Sequence, residues 1–213
     1  VRPTDRPLHR RRIDCHIQER RMSRFTIAPT PLAGVVEIDR KIIGDHRGYF
    51  TRFFCAEELA AAGFDSPVAQ MNHSHSAKRG TVRGLHFQYP PHAEIKLVSC
   101  VRGRVFDVAV DLRAGSPTFL QWHAVELSAE RHNSLLVPKG FAHGFQTLED
   151  DCELLYLTST PYAQAAEDGL NPNDGRLGIA WPLAMTECSD RDRAHPPLTN
   201  AFTGIDLPAL RSH

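Results

Sequence analysis

The chain reads as an all-β protein, a sandwich or barrel of short strands with few and short helices, and three features of its 213 residues carry that reading. Between Met22 and about Leu183, short β-rich segments alternate with Gly, Pro, Asn and Asp turns. Two segments show the period of two that belongs to a half-buried strand. In residues 104–112 the side chains of Phe106, Val108, Val110 and Leu112 share a face, and in residues 152–158 the same spacing aligns Cys152, Leu154, Tyr156 and Thr158. Only one short helical candidate, residues 56–62, interrupts the pattern, and Gly63 stops it.

Taken in chain order, residues 1–21 are crowded with arginine and carry few apolar side chains, and a strand-like stretch begins soon after Met22. This segment is expected to be a disordered extension, or to precede a true start at Met22. Asp5, Asp14 and Glu19 break its positive run, which weakens a reading as a basic arm or targeting segment. Turns at Arg102-Gly103, Ala114-Gly115-Ser116-Pro117 and Val137-Pro138-Lys139-Gly140 then divide the strands at intervals that suit a sandwich or barrel. After Trp181-Pro182 the chain becomes rich in Pro, Asp and Arg and loses its period. The expected division is an extension over 1–21, one barrel over 22–183 and a segment over 184–213 that wraps the barrel as loop and short helix.

Composition removes several function classes. Lys plus Arg and Asp plus Glu number 25 each, so no global field draws the surface to nucleic acid or an anionic membrane, and any anion site must be local. The five cysteines are scattered and lack a CxxC pair, which argues against a disulfide framework or a thiolate zinc site and fits a reducing cytoplasm. No apolar run approaches the roughly 18 residues of a membrane-spanning helix. Neither a GxGxxG nor a Walker loop is present.

Two motifs could carry chemistry: Arg83-Gly84-Leu85-His86-Phe87-Gln88, followed at a distance by Lys96, and Pro138-Lys139-Gly140-Phe141-Ala142-His143-Gly144. They sit where a metal-binding cupin would place its ligands, but such a protein needs His-x-His where this chain has His86-x-Gln88. An amide is a poor ligand for a transition metal, and Lys96 would put positive charge where a cation should sit. The pocket therefore suits an anion, with no metal and no cofactor expected. A true His-x-His does occur at His73-Ser74-His75, read as two solvent-facing histidines in a polar loop because no Glu follows at ligand spacing. A histidine base, a lysine and a tyrosine such as Tyr156 are the parts for removing a proton beside a carbonyl and returning it from the other face. A histidine near a glycine turn is more often structural, and most inward tyrosines are packing groups.

A more specific likeness lies in Gln70-Met71-Asn72, residues 80–88, Lys96-Leu97-Val98, residues 107–113, residues 140–145 and Trp181-Pro182. Together, in this order, they resemble the dTDP-4-dehydrorhamnose 3,5-epimerase family, across nearly everything from Asp45 to Pro196. The resemblance implies a cupin-type double-stranded β-helix, a jelly-roll barrel with a few short helices. It implies a homodimer in which exchanged strands help close the neighbouring cleft. It also implies His86 as catalytic base, Asp192 in the wrapping segment as the carboxylate orienting it, Tyr156 as general acid and Lys96 beside the keto oxygen. Arg47 and Arg83 would meet the diphosphate, His143 the sugar, and Phe50, Gln70, Asn72, Tyr162 and Glu167 would line the nucleotide or substrate cleft. The implied substrate is a nucleotide-diphosphate 4-keto-6-deoxy sugar, inverted at C3 and C5 through an enolate. Inversion at one carbon, a metal-dependent cupin oxygenase or isomerase using His73, His75 and His143, and a non-catalytic sugar-binding barrel are the alternatives.

The chain departs from the family pattern in two places. Phe50-Thr51-Arg52 carries arginine where family members usually have Glu, a charge reversal that could alter substrate choice if that position faces the nucleotide. Asn173-Asp174-Gly175 replaces a common Asp-Pro, a change expected to affect only a loop.

Overall fold

The computed structural model describes residues 23–207, so the expectations for residues 1–21 and for the last six residues lie outside the described residues. In chain order its strands are β1 (Phe25–Pro29), β2 (Val36–Arg40), β3 (Ile43–Asp45), β4 (Gly48–Phe50), β5 (Gln70–Ser76), β6 (Val82–Gln88) and β7 (Lys96–Arg102). Then come β8 (Arg104–Asp111), β9 (Trp122–Ser128), β10 (Asn133–Val137), β11 (Phe141–Thr147), β12 (Cys152–Thr158) and β13 (Glu167–Gly169). The helices are α1 (Ala56–Ala60) and α2 (Asp190–Ala194). Helix α1 ends before residue 62 because Leu59 accepts from Ala62 and Phe64, Ala60 accepts from Gly63, and Gly63 takes φ +110°, which closes the last turn tightly.

A larger sheet runs β1-β2-β10-β7-β12-β5 and a smaller one β13-β6-β11-β8-β9. The central pairs are nested: β5 with β12, β6 with β11, β7 with β10 and β8 with β9, all antiparallel. Such nesting makes one long hairpin wound on itself, with its strands dealt alternately to two facing sheets. This is the cupin-type double-stranded β-helix, and the all-β expectation holds.

Val98, Cys100, Val105, Ala109, Leu127, Leu135 and Leu154 fill the space between the sheets. The alternation in β12 places Cys152 and Leu154 in this core with Tyr156 packed at its edge, as the sequence pattern suggested. In β8 the pattern needs correction. The row Phe106, Val108, Val110 and Leu112 packs on the outer side of the smaller sheet, against Ile179, Trp181, Leu198, Phe202 and Leu207 of the C-terminal segment. The other row, starting Val105, Asp107, Ala109, faces the interior, so β8 is buried on both sides and one period of two could not show which side was the core. Each large side chain covered by the wrap stabilises it by roughly 1.5–3 kcal/mol before chain entropy is subtracted.

His73 and His75 also need correction. They lie on strand β5 and not in a loop, on its exposed face, where Nε2 of each meets an acid: Glu153 at 3.0 Å and Asp151 at 3.1 Å.

Candidate active site

Strands β6 and β11 place His86 directly opposite His143, and the register slips just beyond that pair. Glycine is required at the slip. Gly84 has φ +120°, and a Cβ there would stand 2.6 Å from Gly144 Cα and 2.8 Å from the His143 carbonyl oxygen. The two backbones thus touch where a side chain would part them.

Gly84 N–H donates to Asp192 Oδ2 at 3.2 Å, and Oδ1 of the same carboxylate lies 2.7 Å from His86 Nε2. Asp192 is carried by α2, whose N-cap Ser189 accepts the Asp192 N–H through Oγ at 3.0 Å. Burial works against charge on Asp192, but bonds from His86, Gly84 and Ser189 outweigh it and hold the carboxyl below its ordinary range. An ionised carboxylate only accepts, so Nε2 of neutral His86 carries the hydrogen and Nδ1 the lone pair. The structure repeats this arrangement next door: His143 Nε2 lies 2.9 and 3.0 Å from the oxygens of Asp107, which is fully buried.

Lys96 enters from the first residue of β7. Its Nζ lies 3.2 Å from Glu94 Oε1 and donates to the His86 carbonyl oxygen at 3.4 Å. Tyr156 comes from β12 in the same, larger sheet and so faces His86 across the barrel. Burial and then the nearby Glu94 carboxylate raise its pKa, Arg83 opposes them and Glu167 adds to them, so the phenol keeps its proton at neutral pH.

These groups surround one cleft with two lobes. The larger, about 710 Å³, is lined by His86, Asp192, Lys96, Tyr156, His143 and Arg83 among others. The smaller, about 340 Å³, has Gln70, Asn72, Tyr162 and Glu167 on its walls. His86, Lys96 and Tyr156 line both lobes and therefore stand at their junction. Tyr162 O–H donates to Glu167 at 2.7 Å, Tyr162 N–H donates to the Gln70 side chain, and Arg191 pairs with Glu167 at 2.7 Å. Arg83 is tethered by Ser76 Oγ at 3.0 Å and the His75 carbonyl at 2.9 Å.

Ten of the twelve expected site residues thus share the cleft. Arg47 and Phe50 do not: they lie on the exposed β3–β4 hairpin, where Arg47 pairs with Asp45 at 2.5 Å and lines neither lobe. Arg52 is also elsewhere, bonded to Glu58 of α1 at 2.8 Å. Asp174 does more than alter a loop, since its buried carboxylate accepts from the backbone of Arg176 and Leu198 and so ties two turns of the wrap together. His73, His75 and His143 do not converge, because the first two point outward from β5 and the third points into the cleft. Among the described residues, no three His, Cys, Asp or Glu side chains gather to hold a metal.

The sequence reading overlooked Asp107, Glu94 and Arg191. Asp107 had a signal, an acid in the row Val105-Asp107-Ala109 whose neighbours are apolar. Glu94 had another, since Glu-x-Lys on an extended chain puts both side chains on one face. Arg191 had only its place beside Asp192.

A family model described as dTDP-4-dehydrorhamnose 3,5-epimerase matches residues 29–200. The chain belongs to this family. Its relatives include the dTDP-4-dehydrorhamnose 3,5-epimerase of Sinorhizobium fredii, 45% identical over 168 residues that cover 78% of this chain and 86% of that one. The dTDP-4-dehydro-6-deoxyglucose 3-epimerase of Streptomyces bikiniensis is 42% identical over 175 residues, covering 81% and 89%. Among solved structures, the dTDP-6-deoxy-D-glucose-3,5-epimerase of Legionella pneumophila in complex with dTDP-4-keto-L-rhamnose superposes with a TM-score of 0.80 at 37% identity, covering 87% of this chain and all of that one. Family membership makes the chain an isomerase of the epimerase class. No helix among the described residues is long and apolar enough to cross a membrane.

Proposed function

We propose that the chain inverts C3 and C5 of dTDP-4-dehydro-6-deoxy-D-glucose to give dTDP-4-dehydro-L-rhamnose. One observation carries the reading: the carboxylate-held His86 and the proton-bearing Tyr156 face one cleft from opposite sheets. The sugar occupies the junction of the lobes, with its C4 keto oxygen toward Lys96. His86 Nδ1 takes the proton from the carbon beside the carbonyl, and the released electron pair becomes the C=C bond of an enolate whose oxygen gains negative charge. The Lys96 ammonium stabilises that oxygen. Tyr156 then gives its O–H proton to the other face of the carbon, and the enolate returns to the ketone with inverted configuration. His86 is left protonated and Tyr156 ionised, and exchange of one proton with solvent through the open cleft resets both.

Asp192 fixes the His86 tautomer and offsets the imidazolium charge, roles that suit a base working near neutral pH. His143, held by Asp107, serves the sugar. Arg83 serves the diphosphate, and Gln70, Asn72, Tyr162 and Glu167 serve the nucleotide. Arg47 and Phe50 act in a neighbouring cleft: the hairpin carrying them exposes Ile43, Tyr49 and Phe50, a surface suited to the second copy of a homodimer. The described cysteines are all free thiols, which fits work in a reducing cytoplasm.

The test is turnover of this substrate in heavy water, read by NMR. Deuterium at both C3 and C5 of the product is the expected result. Deuterium at one carbon would support the single-centre alternative, and binding without exchange would leave only a sugar-binding barrel.

A further inference from the structure

Glu94 lies in the cleft with no role in the reaction as written, yet its place is a costly one. Its side chain is 11% exposed and that of Lys96 12%, so both charges have lost most of their water. The segment is extended, with Ile95 turned to the apolar cluster under α1 and Glu94 and Lys96 turned together to the smaller lobe. A lysine ammonium has three N–H bonds. Glu94 Oε1 holds the ammonium as an ion pair at 3.2 Å, and one N–H donates to the His86 carbonyl oxygen at 3.4 Å. The acceptors belong to different walls of the cleft, so Nζ is held across the gap between β7 and β6.

We propose that Glu94 is a positioning residue for the epimerisation: through its ion pair it fixes Lys96 so that a free N–H of the ammonium meets the oxygen that gains charge. The proposal rests on the function argued above and adds to it a second anionic group that the proton transfers need. A free lysine on four methylenes would spend little time at one point, whereas one held by an ion pair and a hydrogen bond presents a free donor without reorganisation. The titratable groups that line these lobes with Tyr156 are Glu94 and Lys96 at the start of β7, Arg83 and His86 on β6, His143 on β11, Glu167 on β13 and Tyr162 ahead of it, Arg191, Asp192 and Arg193 on α2, and Glu187 and Cys188 just before that helix. Of these Glu94 is the carboxylate that acts most strongly on the phenol, and removing its charge lets the phenol ionise at lower pH.

Two variants separate positioning from charge. Glu94→Ala loses both, and kcat is expected to fall roughly 10- to 100-fold with KM within about twofold, as when a catalytic group is misplaced by about an ångström. Glu94→Gln keeps an oxygen acceptor for Lys96 but no charge. It is expected to recover most of kcat near neutral pH while the alkaline limb of its pH–rate profile moves to lower pH. In a Tyr156→Phe background, the same Gln substitution should leave the pH dependence of substrate proton exchange unchanged. Wild-type kcat in folded Glu94→Ala, or a wild-type alkaline limb in Glu94→Gln, overturns the proposal. The Gln variant decides alone if the Ala variant fails to fold. A wild-type chain that exchanges no substrate hydrogen overturns the function itself and this proposal with it, so the two failures are told apart.

Discussion

His86 shows how much one side chain borrows from its surroundings. An imidazole on a strand is an ordinary group until its Nε2 is committed to Asp192 at 2.7 Å, which leaves the other nitrogen free in the cleft. The carboxylate comes from a residue 106 positions away in the chain, and no spacing rule on the sequence connects the two. His86→Ala is expected to abolish turnover while the thermal unfolding midpoint and nucleotide affinity stay close to wild type, since the ring is one-third exposed and anchors no part of the core. Calorimetry on the variant with dTDP, beside a turnover assay, checks both halves. Retained turnover would remove His86 from the mechanism.

At the scale of elements, α2 is a single turn and a half that brings Asp192 to His86. Five residues cannot form a stable helix alone, so its geometry depends on the Ser189 cap and on the bond from Gly84. Ser189→Ala should cost about 1 kcal/mol of stability, the usual loss for a serine cap. It should lower kcat more than it changes KM, because the histidine loses its fixed partner. Denaturant unfolding and steady-state kinetics on the one variant measure the two effects, and unchanged kcat would show that the cap does not hold Asp192 for catalysis. The elements also show what the sequence could and could not reveal. Alternation exposed the inner row of β12 and its polar Tyr156, because that strand buries its two faces unequally. In β8 it found one apolar row but not that the opposite row is buried too, because the wrap covers one side and the barrel closes on the other. Gln70, Asn72, Tyr162 and Glu167 came from likeness to a family, since a cleft assembled from both sheets and the C-terminal wrap leaves no local period. Arg47 and Phe50 sit on an exposed hairpin where Arg47 meets Asp45 and Tyr49 packs on His132, and neither lines this chain's cleft; the proposed reading gives them to the cleft of a second copy.

The whole molecule is a barrel overlaid by a wrap, and Asp111 organises the loop against which the wrap is pinned. Its buried carboxylate accepts from Arg113, Ser116 and Thr118, and the adjoining Arg113 bridges to Ile205 in the wrap. Burial opposes its ionisation, but these bonds prevail and lower its pKa to about 2. The folded value lies below the unfolded one of about 3.9, so this group's stabilisation is full above that pH and lost as pH falls from there through the folded value. Asp111→Asn should therefore be less stable at neutral pH by on the order of 2 kcal/mol, with the difference shrinking toward pH 2. Unfolding curves across that acid range test the sign, and a difference that grows with acidity would contradict it. The same closed architecture sets His86 and Tyr156 on facing sheets, and in the proposed mechanism inversion depends on that separation. Tyr156→Phe tests it most directly, by following solvent deuterium into dTDP-4-dehydro-6-deoxy-D-glucose by NMR. The account predicts substrate recovered with deuterium beside the keto group and with its configuration mostly retained. Inverted product formed at the wild-type rate would contradict it.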